Sequence, residues 1–140
     1  RGDRIDRLPD GTLRVVDYKT GEPHLDFQGV EALFRGEAKQ RQSNILQTLL
    51  YSMMLFHSRG VAAEPTLYYV RAMHRDDYSS RLVDRELGRT GVRYSEYREP
   101  FERLLRETLA EMFDPAIPFR QCEDAEHTCR YCDFREICKR

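Results

Sequence analysis

The sequence lacks any long apolar run, and no stretch approaches the roughly 18 residues that a membrane-spanning helix needs. It also lacks internal repeats, low-complexity tracts and a basic excess, since 23 Lys and Arg stand against 24 Asp and Glu. A repeat array and a domain that binds nucleic acid by overall charge alone are therefore excluded. Apolar residues form 40% and charged residues 34% of the 140 residues, which suits one globular domain with a charged exterior.

Strand-like alternation occurs near the start of the chain and again near its middle. Residues 3–8 and 13–19 are predicted strands, joined by the turn Pro9-Asp10-Gly11. A further buried strand is predicted over residues 66–73, after Pro65. The intervening stretch 22–37 is predicted to be an irregular loop, because it carries Gly, Pro and mixed polar residues.

Helical spacing of apolar residues indicates two helices. The first is predicted over about residues 38–58, and the second begins at Ser95 as its N-cap and ends at Phe113, before Asp114-Pro115. Between them, residues 78–94 hold at most one further strand. The order of strands and helices predicts an α/β or α+β layer.

The first two strands bring acidic residues together. A three-residue turn pairs Leu8 with Thr12, so the residue numbers of cross-strand partners sum to 20. Asp3 is therefore expected opposite Asp17, with Cβ atoms about 5 Å apart. Alternation places Lys19 on the face of Asp17 and Asp6 on the opposite face. A turn one residue longer or shorter would change this register.

Two carboxylates this close repel each other unless a cation lies between them. Hard oxygen ligands suit Mg²⁺ or Mn²⁺, and the backbone carbonyl of Tyr18 is a third candidate ligand. Lys19 would then orient a metal-bound water or stabilise charge on a phosphate. The alternative is a charged surface hairpin in which Lys19 only neutralises Asp17.

The strings Gly2-Asp3-Arg4-Ile5-Asp6 and Val15-Val16-Asp17-Tyr18-Lys19-Thr20-Gly21 resemble the core motif of RecB/AddB-type nucleases in the PD-(D/E)XK superfamily. The resemblance implies a restriction-endonuclease-like core with a mixed sheet flanked by helices. It implies that Asp3 and Asp17 bind metal and that Lys19 is catalytic. Gln47-Thr48-Leu49-Leu50-Tyr51 matches the Gln-x-x-x-Tyr motif of the same family, which implies that Gln47 and Tyr51 belong to the active site.

All four cysteines lie in the last 19 residues, a pattern typical of a metal clip in a reducing, cytoplasmic setting. Cys129, Cys132 and Cys138 resemble the C-terminal part of the iron–sulfur staple of these nucleases, which implies a [4Fe–4S] cluster in the full-length parent. Its fourth ligand would precede Arg1, or be Cys122. Zinc with Cys122 or His127 is an alternative, and so is an empty site. We expect a nuclease core over residues 1–120 and a metal-binding tail over 121–140.

The resemblance implies a Mg²⁺- or Mn²⁺-dependent deoxyribonuclease, expected to be an exonuclease, that cuts DNA as part of a helicase-associated repair protein. Its partners would be DNA and a helicase domain or subunit. The alternatives are a CRISPR-adaptation-type nuclease and a non-catalytic DNA-binding or scaffolding domain that keeps the fold and the metal staple. The first residue is Arg1, and family members carry a His or acidic residue on a helix before the first strand, so we expect upstream sequence.

Overall fold

A computed structural model describes residues 3–35, 42–118, 120–121, 128–130 and 132–139. Within them the chain forms an α/β architecture of two mixed sheets and three helices, which confirms the predicted fold class. The strands are β1 (Arg4–Arg7), β2 (Leu13–Lys19), β3 (Asp26–Phe27), β4 (Ala63–Tyr69), β5 (Val83–Asp84) and β6 (Arg89–Thr90). The helices are α1 (Gly29–Arg35), α2 (Ser43–Arg59) and α3 (Tyr94–Phe113).

The main sheet has the order β1-β2-β4. Strands β1 and β2 are antiparallel, and paired residues sum to 20 from Arg4 with Val16 to Arg7 with Leu13, which confirms the predicted register. At the turn, the Leu8 amide donates to the Thr12 carbonyl at 2.8 Å. Gly11 adopts a φ of 84°, a left-handed conformation that glycine adopts without strain. The local chemistry of this turn therefore fixes the pairing of the whole hairpin.

Strand β4 pairs with β2 in parallel, and α2 makes the crossover between them. The strand begins at Ala63 and includes Pro65, so the predicted start after Pro65 is wrong. The Leu67 amide points away from β2 and donates to Ser80, and by alternation Pro65 has its missing amide on that same outer edge. The strand ends at Tyr69, and a 3-10 turn replaces the predicted continuation.

Helix α1 contradicts the predicted loop over residues 22–37, of which residues 36–37 lie outside the described part of the chain. The short β3 precedes it and pairs with β5 in a second sheet of order β3-β5-β6. Val30 and Leu33 are buried, and the Phe34 ring lies 5.4 Å from the ring of Phe101 on α3. The spacing of these three apolar residues was the signal for a helix.

The two predicted helices are present with shifted starts. Helix α2 begins at Ser43, and residues 38–41 of the predicted helix lie outside the described residues. Helix α3 begins at Tyr94 with Arg93 as the N-cap residue, so the predicted N-cap Ser95 is wrong. The reason is that Tyr94 is fully buried, with its ring 6.2 Å from that of Phe101, and packing draws it into the first turn.

The hydrophobic core lies between the main sheet and the three helices. It includes Ile45 and Leu49 of α2, Leu67 of β4 and Phe101 of α3, all without measurable exposure. Among the described residues, no helix is both long and apolar enough to cross a bilayer. The core fixes α2 against one face of the sheet, and this contact positions the side chains considered next.

We predict that Phe101→Ala lowers the free energy of unfolding by about 3–5 kcal/mol, because it removes a ring that touches the rings of both Phe34 and Tyr94. Leu109→Ala on the same helix is the matched control, since Leu109 is 42% exposed and its truncation should cost about 0.5 kcal/mol or less. Urea unfolding followed by circular dichroism measures both. Equal losses in the two variants would contradict this packing.

Candidate active site

One face of the main sheet is directed at α2. Leu13 and Val15 of β2 form a small apolar cluster with Leu55 and Tyr51 of α2, so alternate residues of β2 point toward the helix. Alternation places Asp17 on this face, where it is only 4% exposed. A buried carboxylate beneath a helix does not fit the alternative of a charged surface hairpin.

A chain of polar contacts links β2 to α2. The Lys19 ammonium lies 2.6 Å from Asp17 Oδ2 and donates to Gln47 Oε1 at 2.8 Å. Gln47 Nε2 in turn donates to the Tyr51 hydroxyl at 2.7 Å. Four of the five side chains predicted for the site are therefore brought together, because α2 runs back over the strand that carries two of them.

Asp3 lies at the start of β1, next to the first paired residue. The register of β1 and β2, continued by one residue, places it opposite Asp17. Asp3 is exposed, and its Oδ2 accepts a hydrogen bond from the Tyr18 backbone amide at 2.9 Å. The backbone of Tyr18 is thus held between the two acids, with the Tyr18 side chain on the opposite face of the sheet.

The Asp17 carboxylate has an unsatisfied oxygen. Its Oδ2 is buried and receives no hydrogen bond within the described part of the chain, since the nearby ammonium approaches without hydrogen-bond geometry. Buried acceptors almost always have a hydrogen-bond partner, so this oxygen has a lone pair available to a metal ion. Asp3, Asp17 and the Tyr18 carbonyl are hard oxygen donors, and this donor set fits Mg²⁺ or Mn²⁺.

The acidic ligand set is small. No group of three or more His, Cys, Asp or Glu side chains in the described ranges is arranged to hold a metal ion. Two carboxylates and a carbonyl would leave half of an octahedral shell to water and substrate oxygens, as Mg²⁺ sites in enzymes commonly do. An open shell of this kind belongs to a catalytic site and not to a closed structural one.

Further polar groups, which the sequence did not single out, continue the site toward the start of α2. Asn44, three residues before Gln47, donates to the Tyr69 hydroxyl at 3.4 Å, and this hydroxyl donates to the His24 carbonyl at 3.1 Å. Tyr69 pairs with Lys19 across the parallel strands. The i, i+3 spacing of Asn44 and Gln47 was the available signal, since it places both on one helix face.

Asp6 lies on the opposite face of the sheet, as the alternation predicts. Its Oδ2 accepts hydrogen bonds from Arg14 at 2.8 Å and from Arg4 at 2.9 Å. The hydrogen bond from Arg14 is the main cause that lowers the pKa of Asp6; partial burial opposes it, and Arg4 adds to it. Asp6 therefore stays ionised and is engaged with arginines.

Three cysteines of the tail are described, and all three are free thiols of intermediate exposure. They follow one another in consecutive turns, in which the Cys132 amide donates to the Cys129 carbonyl at 3.2 Å and the Cys138 amide to the Phe134 carbonyl at 3.2 Å. The Gln121 side chain donates to the Cys138 carbonyl at 3.0 Å. The other candidate ligands, Cys122 and His127, lie outside the described residues.

The mixed sheet, the paired acids and the adjacent amine define a nuclease-type α/β domain. The family model described as the PD-(D/E)XK nuclease superfamily matches residues 1–139, and the chain belongs to this superfamily. Membership implies phosphodiesterase activity of the nuclease type with DNA as substrate, and these nucleases typically use Mg²⁺ or Mn²⁺. No curated protein and no solved structure matches the chain significantly.

The lowered pKa of Asp6 predicts a pH-dependent contribution to stability. The carboxylate stabilises the fold above the ordinary aspartate pKa of about 3.9, and this contribution is lost as the pH falls through the lower folded-state pKa. We expect Asp6→Asn to cost about 1 kcal/mol at pH 7 and progressively less below pH 4. Denaturant unfolding of both proteins between pH 7 and pH 3 measures this difference; a constant difference would contradict the assignment.

Proposed function

We propose that the chain is a Mg²⁺- or Mn²⁺-dependent deoxyribonuclease of the RecB/AddB type. The observation that carries the proposal is the buried Asp17 carboxylate in contact with Lys19, which Gln47 holds from the facing helix. Asp3 supplies a second carboxylate from the neighbouring strand. Superfamily membership supplies the reaction class, hydrolysis of a phosphodiester.

Asp3, Asp17 and the Tyr18 carbonyl would hold the metal ion, which supplies Lewis acidity toward the phosphate and lowers the pKa of bound water. Lys19 has three ammonium hydrogens. The ammonium forms an ion pair with Asp17 and donates one hydrogen to Gln47, which leaves hydrogens for a phosphate oxygen or the attacking water. The two fixed contacts orient the amine, so that it needs little rearrangement as charge develops on the phosphate.

Gln47 and Tyr51 extend this orientation along α2. Because the Gln47 carbonyl oxygen accepts from Lys19, its amide group is turned so that the nitrogen donates to Tyr51. The Tyr51 oxygen is then an acceptor on one side, and its own proton points away from Gln47. We propose that this hydroxyl donates to a phosphate of the bound strand. Gln47 acts through Lys19 and is a positioning residue.

The more specific assignment follows from the motif strings. Asp-Arg-Ile-Asp at residues 3–6 and Asp-Tyr-Lys-Thr-Gly at 17–21 favour the RecB/AddB side of the superfamily over the CRISPR-adaptation nucleases, which share the Gln-x-x-x-Tyr and cysteine patterns. We propose exonuclease action in a helicase-associated DNA repair protein of the cytoplasm. A helicase domain or subunit would then be the partner that delivers the DNA end.

The tail is proposed to be a separate metal-binding unit over residues 121–140, after a nuclease core over 1–120. Cys129, Cys132 and Cys138 are free, partly accessible thiols within ten positions of sequence, a spacing that suits thiolate ligands of one metal centre. We propose that they hold a [4Fe–4S] cluster with a structural role. Zinc is the alternative with the same ligands.

We predict that Asp17→Asn and Lys19→Met each lower Mn²⁺-dependent cleavage of DNA by about 10³-fold or more, because one removes a metal ligand and the other the oriented amine. Asp76→Asn is the matched control, since Asp76 is exposed in the loop after β4. Cleavage of end-labelled single-stranded DNA during Mn²⁺ titration is the measurement, with circular dichroism to check folding.

Wild-type rates in Asp17→Asn would contradict the catalytic assignment. A wild-type chain that binds DNA but cleaves none at any Mn²⁺ or Mg²⁺ concentration would instead support the non-catalytic, scaffolding function.

For the tail, we expect anaerobically purified protein to be brown and to contain about four iron atoms per cluster, with both properties lost in Cys132→Ser. Elemental analysis for iron and zinc measures the metal. A measured content of about one zinc atom per chain would indicate a zinc site in place of the cluster. Metal content that is unchanged in Cys132→Ser would show that these thiols are not its ligands.

A further inference from the structure

The face of the main sheet that points away from α2 carries arginine and tyrosine side chains. We call it the outer face and define it by Arg4, Asp6, Arg14, Tyr18 and Tyr68, which alternate with the residues that face the helix. Tyr18 and Tyr68 are register partners on the parallel strands β2 and β4. The outer face therefore presents two neighbouring aromatic rings near the C-terminal ends of β2 and β4.

The two rings are accessible and are arranged edge to face. Their centroids are 5.7 Å apart with an interplanar angle of 84°, so one ring does not cover the face of the other. Tyr18 is 37% exposed, and Tyr68 is of intermediate exposure. Each ring has a π surface onto which a planar group can stack.

Two guanidinium groups lie beside these rings. The Arg4 guanidinium is 5.5 Å from the Tyr18 centroid and 5.4 Å from the Tyr68 centroid, and that of Arg14 is 5.3 Å from Tyr68. Asp6 bonds to both arginines and holds them at the level of the rings. Glu64, the register partner of Arg14, lies on the same face and is paired with Arg81 at 3.2 Å, so Arg4, Arg14 and Asp6 leave the outer face with one net positive charge.

One donor on this face lacks a partner. The Arg14 Nε hydrogen is buried and finds no acceptor within the described ranges, although Nη2 of the same side chain bonds to Asp6. This buried Nε is closed to solvent, so a phosphate would meet the exposed parts of the two guanidinium groups, whose side chains are 44% exposed at Arg4 and 22% at Arg14. The outer face therefore combines stacking surfaces with partly exposed cations suited to phosphate.

We propose that the outer face binds a single strand of nucleic acid, with a base stacked on Tyr18 or Tyr68 and a backbone phosphate on Arg4 and Arg14. Stacking on exposed rings requires unpaired bases, which a duplex does not offer. The net positive charge matches the phosphate, whereas an apolar protein partner would desolvate the guanidinium groups without supplying an anion.

This binding site is separate from the candidate active site. Asp17 and Lys19 flank Tyr18 in sequence but point to the other side of the sheet. Binding on the outer face needs no metal ion and no cleavage. Strand binding therefore goes beyond the proposed nuclease function, and an experiment that disproves one of these two proposals does not disprove the other.

The test is fluorescence anisotropy of a labelled oligothymidine of about 15 nucleotides, titrated with the chain in EDTA. We expect Tyr68→Leu to weaken binding about tenfold and Tyr68→Phe, which keeps the ring, to leave it within about twofold. Arg14→Gln should reduce the slope of log affinity against log salt by about 1. Arg103→Gln, an exposed arginine on α3 paired with Glu107, is the matched control and should change neither quantity.

Comparing the affinities for oligothymidine and for oligouridine of equal length shows whether the chain prefers DNA or RNA. Binding of either strand supports the proposal. Should Tyr68→Leu fail to fold, Tyr18→Leu replaces it, because the Tyr18 ring is the more exposed. Binding that is absent in the wild-type chain, or unchanged when a folded variant lacks either ring, overturns the proposal. A tenfold loss in Arg103→Gln would also overturn it, since binding would then follow overall charge.

Discussion

The contact between the buried Asp17 carboxylate and the Lys19 ammonium is the constraint on which the candidate site depends. The carboxylate is 4% exposed, and burying a charged group costs free energy unless an opposite charge lies beside it, as the amine does at 2.6 Å. Parallel pairing with β4 and packing under α2 bury the carboxylate, while the Lys19 side chain is 20% exposed. The amine cannot turn to solvent without leaving a buried charge, so the fold holds it where Gln47 can bind it.

The sequence could predict what local chemistry determines. Pro9 to Gly11 allows a three-residue turn, and the Leu8–Thr12 pairing that follows fixes the register of the acids without any long-range information. Gln47 and Tyr51 share a helix face because of their i, i+4 spacing alone. Because both features depend only on local sequence, the hairpin and the helical motif could each be predicted separately.

Long-range packing determines what the sequence could not predict. The Lys19–Gln47 bond joins residues 28 positions apart, and its existence depends on the parallel crossover that lays α2 antiparallel to β2. Helix α1 is only seven residues long and would be unstable by itself; it forms because Phe34 packs on α3. Residue types alone do not report such contacts, since each depends on a surface built by distant parts of the chain.

Strand β2 shows how one register can position chemistry on both sides of a sheet. Asp17 and Lys19 face the helix, while the intervening Tyr18 and the earlier Arg14 face outward. A slip of one residue in the hairpin would exchange the two sets and place the tyrosine in the core and the acid in solvent. Apolar burial of Val15 on the helix side opposes such a slip. The register that protects the core is therefore the same register that separates an acidic, amine-bearing face from an aromatic, cationic one.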